Sequence, residues 1–249
     1  KLEKAQLPNG GFPWFAGGPA SPYMTLYLMG GLARAAEFEV PVPREMVQRG
    51  WQYLAREAKE NWLPRAIADD CCWELLTYLN YVAASYPDPS WTGDFLSADD
   101  RRTILDFSFK HWRKHQPLLK LQLASTLERL DRHKDAVLVL ASVMDSAKTT
   151  RDEGTFWQPE DRAWLWYNDR IESHAWALRT LMEVAPADPR RDGLVQWLFL
   201  NKKLNHWKST RATAEVLYSL AAYLKATGTL AVREEATVEV ANQTTTFVF

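Results

Sequence analysis

Asp169 and Glu172 stand three residues apart, just after Trp164, Trp166 and Tyr167. Two carboxylates beside aromatic rings are the equipment of glycoside hydrolysis, in which one works as the acid and the other as base or nucleophile. The same spacing is fully accounted for by a capping box at a helix start, so the pair implies no chemistry by itself. Asp69-Asp70 and Asp99-Asp100 read as helix-start or surface charges. His111 and His115 stand at i,i+4 and can in principle share a metal. No third ligand accompanies them, and they are expected on the surface of an outer helix. Glu172 and His174, at i,i+2, do not share a helical face. His174 and His206 are expected to be hydrogen-bonded structural residues. Cys71 and Cys72 are adjacent, an arrangement that strains a mutual disulfide, and they fall in an apolar run from Ile67 to Val82 that predicts buried, inert thiols. With no CxxC and no nearby His there is no zinc pattern. The residues therefore name no catalytic group, no metal site and no cofactor, and the chain is read as non-enzymatic. An aromatic group remains: Trp14, Phe15, Tyr23, Trp157, Trp164, Trp166, Tyr167 and Trp207. These either line a groove or close a packed core. With Glu172, all of them but Trp157 form the candidate binding or docking surface.

The elements that must position these residues are helical. Ser21-Pro22 reads as N-cap and first helical residue. Tyr23 to Ala36 is apolar or small nearly throughout, the pattern of a helix buried on all sides. From about 44 to 60, Val47, Trp51, Leu54 and Ala58 form one stripe among charged residues, as on an outer helix. Ile67 to Tyr86 is again apolar almost all round. Ser97 caps a helix with Ile104, Leu105, Phe109 and Trp112 inward. Helices over 118–130 and 136–147 flank Asp131-Arg132-His133. A long Trp-rich loop spans 148–168. Asp188-Pro189 opens an amphipathic helix burying Leu194, Trp197 and Leu198, and Ser209 opens a last buried helix that ends by Gly228. Beyond it the period changes to that of strands, in 237–240 and 246–249.

Alternating buried and amphipathic helices predict an all-α fold, an α/α toroid, with a short C-terminal β segment; an open solenoid is the fallback. A glycine-aromatic turn at Leu7 to Gly18 precedes the first inner helix, with degraded echoes at Gly154 to Trp157 and Asn205 to Thr210, and a toroid gathers such turns at one end. The predicted division is a toroid over 1–228 and the start of a second, β domain over 229–249.

Composition excludes several classes. The 249 residues carry 30 Lys+Arg against 31 Asp+Glu, a formal net charge of -1, which favours neither nucleic acid nor an anionic membrane. No apolar run reaches the roughly 20 residues of a membrane span. Lys1-Leu2-Glu3-Lys4 reads as the tail of a helix rather than a leader, so a piece of a larger protein is expected.

Three segments carry a resemblance. Pro8-Asn9-Gly10-Gly11-Phe12-Pro13-Trp14-Phe15-x-Gly17-Gly18, followed by Tyr23-x-Thr25-x-Tyr27-x-x-x-Gly31-Leu32, resembles the thioester-type helical domain of the bacterial alpha-2-macroglobulin family. Tyr167-Asn168-Asp169-x-Ile171-Glu172 is similar to that family's aspartate-isoleucine-glutamate helix start. His206-Trp207-Lys208-Ser209-Thr210 is similar to the segment before its last toroid helix. The resemblance implies an α/α toroid followed by a CUB-type β-sandwich, in a large secreted or periplasmic envelope protein that traps proteases. Its partners would be the neighbouring β-domains of the same chain, with proteases as targets, and neither nucleic acid nor inserted membrane. In the family a Cys-x-Glu-Gln thioester stores an acyl electrophile. That motif is missing here: Cys72-Trp73-Glu74-Leu75 imitates three positions but lacks Gln. Either the motif lies upstream of Lys1, or the chain matches the branch without a thioester, to which Lys1-Leu2-Glu3-Lys4-x-Gln6-Leu7-Pro8 is closer. The alternatives are a toroid lyase or glycosidase using Asp169 and Glu172, and an aromatic-groove binding module.

Overall fold

The structure is a computed structural model and describes residues 2–93, 96–157, 169–229, 235–240 and 243–248. Chain entry is set by the glycine-aromatic turn. Gly10 adopts φ +88°, and a Cβ there would collide with the Arg49 backbone carbonyl, so only glycine lets the turn lie against the next helix. Gln6 Nε2 donates to the Gly10 and Met46 carbonyls, both at 2.9 Å. A two-residue ladder pairs β1 (Phe12–Pro13) with β2 (Ala20–Ser21), and the Phe12 N–H donates to Thr25 Oγ1 at 2.8 Å. Phe12 is thereby buried while the loop tip, carrying Trp14 and Phe15, points outward.

Ser21 then caps α1 (Pro22–Glu37), accepting from Met24 N, with Pro22 supplying the fixed φ of a first helical residue. α2 (Arg44–Glu57) buries Val47, Trp51 and Leu54 as its stripe predicts. It runs on through a π-type turn, Ala58–Trp62, into α3 (Leu63–Asp69). Asp70 and Cys72, both left-handed in φ, break the chain before α4 (Trp73–Ala83). α5 (Ala98–Lys110) opens with a complete capping box between Ser97 and Asp100. α6 (Pro117–Arg129) and α7 (His133–Met144) form the expected helical hairpin. A small β-hairpin follows, β3 (Lys148–Thr150) with β4 (Gly154–Phe156), and then α8 (Arg170–Val184), α9 (Arg190–Leu200) and α10 (Thr210–Ala226). Beyond α10, β5 (Glu235–Val240) pairs antiparallel with β6 (Gln243–Val248).

The packing order explains the alternation in the sequence. α1, α4, α6, α8 and α10 pack each on the next as an inner layer, and α2, α5, α7 and α9 cover them from outside. Each outer helix returns the chain, so the inner helices run parallel. The arc closes through side chains: Arg34 of α1 meets Glu215 of α10 at 2.5 Å, and Phe38 lies 5.8 Å from Tyr218. The fold is all-α with a short β segment, as expected.

Four local expectations fail. α1 is not buried all round; Thr25, Leu26, Met29 and Ala33 face inward, and Tyr27 is exposed. Ile67 to Tyr86 is not one helix, because Asp70 and Cys72 interrupt it. Cys71 and Cys72 therefore sit in an open turn, half-exposed and exposed, rather than as buried thiols. His111 and His115 are buried, not on the surface. They lie where α5 ends in a tight 3₁₀ turn that folds back onto α4: His111 stacks on Trp73 at 4.8 Å, and His115 reaches Thr77. Apolar periodicity alone does not show such a fold-back.

Candidate functional site

The starts of the inner helices converge on one polar centre. Tyr23 and Tyr27 of α1, Tyr78 of α4, Leu118 and Gln122 of α6, Glu172 and Trp176 of α8, and Arg211 and Glu215 of α10 surround it. Two ion pairs staple α8 to the start of α10. Glu172 Oε1 accepts from Arg211 Nε at 2.7 Å, and Asp169 Oδ2 lies 3.0 Å from Lys208 Nζ. The third pair, Arg34 with Glu215, joins α1 to α10, and the Arg34 guanidinium also lies over the Trp176 and Tyr218 rings at 5.3 and 5.1 Å.

Electrostatics follow from this burial. Loss of solvent pushes the Glu172 carboxyl up to about 7, against the attraction of Arg211. Burial works against the Arg34 charge, but the adjacent Glu215 carboxylate outweighs it and holds the guanidinium protonated. The Tyr23 and Tyr27 hydroxyls are raised chiefly by burial. Asp169 caps α8 by accepting from the Glu172 N–H at 3.0 Å. The reciprocal half of the expected capping box is not made, since the Glu172 carboxylate turns to Arg211 instead. A distant arginine offers a charge-assisted bond, which outcompetes a neutral backbone N–H.

The centre has little room. The space between these side chains is about 20 Å³, little more than one water needs. A sugar ring does not fit, and Asp169 and Glu172 are each held by a cation. Among the described residues no group of three His, Cys, Asp or Glu is placed to hold a metal.

Two buried histidines are structural. His174 is fully buried between Trp157 and Trp197, with ring centroids at 3.9 and 3.7 Å. The Trp157 N–H donates to Nε2, so Nδ1 carries the proton and donates to the Arg170 carbonyl at 2.7 Å. Burial lowers its pKa to about 3 and keeps the ring neutral. His115 is lowered likewise to about 3 by burial. Thr77 gives its hydroxyl proton to the Trp73 carbonyl, so its oxygen accepts from His115 Nε2.

The aromatic residues separate into two environments. Trp207 is buried; its indole N–H donates to the Leu198 carbonyl at 2.7 Å, and Trp157 is buried as well. Trp14 and Phe15 are 62% and 68% exposed. Trp14 stacks on Tyr23 at 5.9 Å and Tyr23 on Tyr27 at 6.5 Å, so a run of three rings leads from the loop tip towards Glu172 and Arg211. Trp164, Trp166 and Tyr167 lie outside the described residues. Sequence reasoning did not name Arg34, Tyr78, Arg211 or Glu215. Their only signal was a polar residue at helical spacing in helices otherwise apolar, such as Arg211, Glu215 and Tyr218.

No family model matches this chain, and no curated protein matches it. Solved structures do. One is native alpha-2-macroglobulin from Escherichia coli, from domain MG7 to the C-terminus, with TM-score 0.60 and 18% identity over 99% of this chain and 36% of that one. Another is Salmonella alpha-2-macroglobulin reacted with methylamine, with TM-score 0.62 and 17% identity over 99% of this chain and 15% of that one. At this identity the likeness is one of fold. This chain is an α/α array of the kind found within those two proteins, and it spans only 36% and 15% of their lengths.

Proposed function

We propose that the chain is the α/α-toroid domain of a bacterial alpha-2-macroglobulin-like protein, without catalysis of its own, serving endopeptidase inhibition by protease trapping in the periplasm or cell envelope. Residues 1–228 form the toroid, and 229–249 open a CUB-like β domain. The observation that carries this reading is the match in fold over 99% of the chain to two bacterial alpha-2-macroglobulins. The three anchoring motifs of the sequence support it independently. The Cys-x-Glu-Gln motif is absent from these residues, so no acyl transfer is assigned to them. The work of the domain is mechanical: the exposed Trp14 and Phe15, backed by Tyr23, dock a neighbouring β-domain of the same protein. Exposed aromatics of this kind anchor interfaces. The ion pairs on Asp169 and Glu172 and the small space beside Glu172 also argue against the glycosidase alternative. Among the described residues no helix is long and apolar enough to cross a membrane.

The test is a protease challenge of the longer protein that carries this chain. A trapped protease keeps cleaving a small chromogenic peptide but loses access to a large protein substrate. Undiminished cleavage of the large substrate after bait-type proteolysis refutes the reading. Polysaccharide cleavage by the wild-type protein, lost in the Asp169→Asn/Glu172→Gln double variant, would establish the enzyme instead.

A further inference from the structure

One face of α5 carries two arginines, Arg101 and Arg102, that the fold pairs only weakly. Ala98, Arg101, Arg102, Leu105 and Asp106 follow i, i+3, i+4, i+7, i+8 and so share that face. With Leu130 and Arg132 from the end of α6 and the turn before α7, they wall a groove of about 510 Å³. That lies within the roughly 300–1,000 Å³ typical of small-molecule sites. Its floor is apolar, made by buried Leu105 and half-buried Leu130.

The three guanidiniums are not equivalent. Those of Arg132 are engaged, Nη1 with Asp106 Oδ1 at 2.6 Å and Nε with Asp135 Oδ2 at 2.8 Å. Arg102 stands 3.6 Å from Asp99 with both side chains exposed, a contact of little energy. Arg101 has no carboxylate partner among the described residues, and its nearest acceptor is Asn80 Oδ1 at 3.5 Å. Arg101 is also partly buried, and the lost hydration pulls its pKa below the ordinary arginine value. Both arginines stand near the positive end of α5, where the helix dipole disfavours cations. Asp100, which would offset them, is already bound to Ser97 and to Lys59 at 2.9 Å.

The geometry points to a binding site for a small amphiphilic oxyanion, with its carboxylate or phosphate on Arg101 and Arg102 and its short apolar body on Leu105 and Leu130. A planar guanidinium meets two oxygens of such a head at once, which an isolated ammonium does not. The apolar floor separates this ligand from an inorganic anion, which gains nothing there. The same head is offered by a free alkyl acid and by an anionic phospholipid, and the test distinguishes these sources.

Calorimetric titrations of the 249-residue chain with octanoate, octyl phosphate, inorganic phosphate and 1-octanol read the head and the body separately. Sedimentation with phosphatidylglycerol vesicles reads the lipid source. The expected result is that octanoate or octyl phosphate, or the vesicles alone if the source is a lipid, bind at least about tenfold tighter than inorganic phosphate or octanol. Arg101→Gln then loses about tenfold, the usual weight of a charge-assisted bond. Arg102→Glu, at an exposed position, is the second variant and gives the same loss if Arg101→Gln fails to fold by circular dichroism. Equal binding of octyl phosphate and inorganic phosphate, with no vesicle binding, overturns the proposal. So does unchanged binding in a folded variant.

Discussion

Replacing Glu172 by Gln removes a carboxyl that is buried beside Arg211 and whose pKa stands at about 7 instead of the ordinary 4.5. A native pKa above the unfolded one means that the folded chain binds this proton more tightly. The associated stability is fully present below pH 4.5 and is lost as pH rises through about 7. The shift is about 2.5 units, and at 1.36 kcal/mol per unit the loss is about 3 kcal/mol between those limits. Two buried histidines act in the opposite sense. His174 and His115 have native pKa values of about 3 against 6.5, so they stabilise above pH 6.5 and lose that contribution as pH falls towards 3. The wild-type stability curve is therefore a composite, and the difference between wild type and Glu172→Gln isolates the carboxyl. Gln keeps an acceptor for Arg211 Nε but has no charge to titrate. Urea unfolding of both proteins at half-unit steps from pH 4.5 to 8 is the measurement. The wild type should lose about 3 kcal/mol relative to the variant across that range. A difference that stays constant within about 0.5 kcal/mol would refute the buried-carboxylate account of the polar centre.

Breaking the seam between α1 and α10 is expected to be costly. Glu215→Gln leaves the Arg34 guanidinium without a counter-charge and should destabilise by about 3–5 kcal/mol in urea unfolding, whereas the Arg34→Met/Glu215→Met pair should cost much less. Gly10→Ala puts a methyl group against the Arg49 carbonyl at a left-handed φ and should lower stability by at least about 2 kcal/mol. A change under 0.5 kcal/mol would mean that the turn does not seat on α2. Trp14→Ala/Phe15→Ala should leave the unfolding free energy of this chain within about 0.5 kcal/mol, because both rings are exposed. In the longer protein the same variant should increase protease nicking between domains if the rings dock a neighbour.

Much of this architecture is legible in one dimension. The caps at Ser21, Ser97, Asp169 and Ser209, and the prolines at the starts of α1 and α6, mark helix starts through local hydrogen bonding and a fixed φ. The period change beyond Gly228 marks β5 and β6 just as locally. Where the sequence misleads, a short irregular feature is responsible. The left-handed pair Asp70 and Cys72 exposes thiols that an apolar run had placed inside, and the turn after α5 carries His111 and His115 into the core.

What the residues determined by themselves is where most helices start, the buried stripe of outer helices such as α2, and the absence of the Cys-x-Glu-Gln run. What only the tertiary structure decided is which polar side chains meet. Arg34 and Glu215 are 181 positions apart, and Glu172 and Arg211 are 39 apart. Periodicity tells which side of a helix is dry, because burial is a property of one residue and its immediate helical neighbours. It does not tell which charge across the ring answers which, because that depends on how closure of the whole inner layer brings its first and last helices together. The packing of α10 on α8 turns Glu172 from half of a capping box into the partner of Arg211.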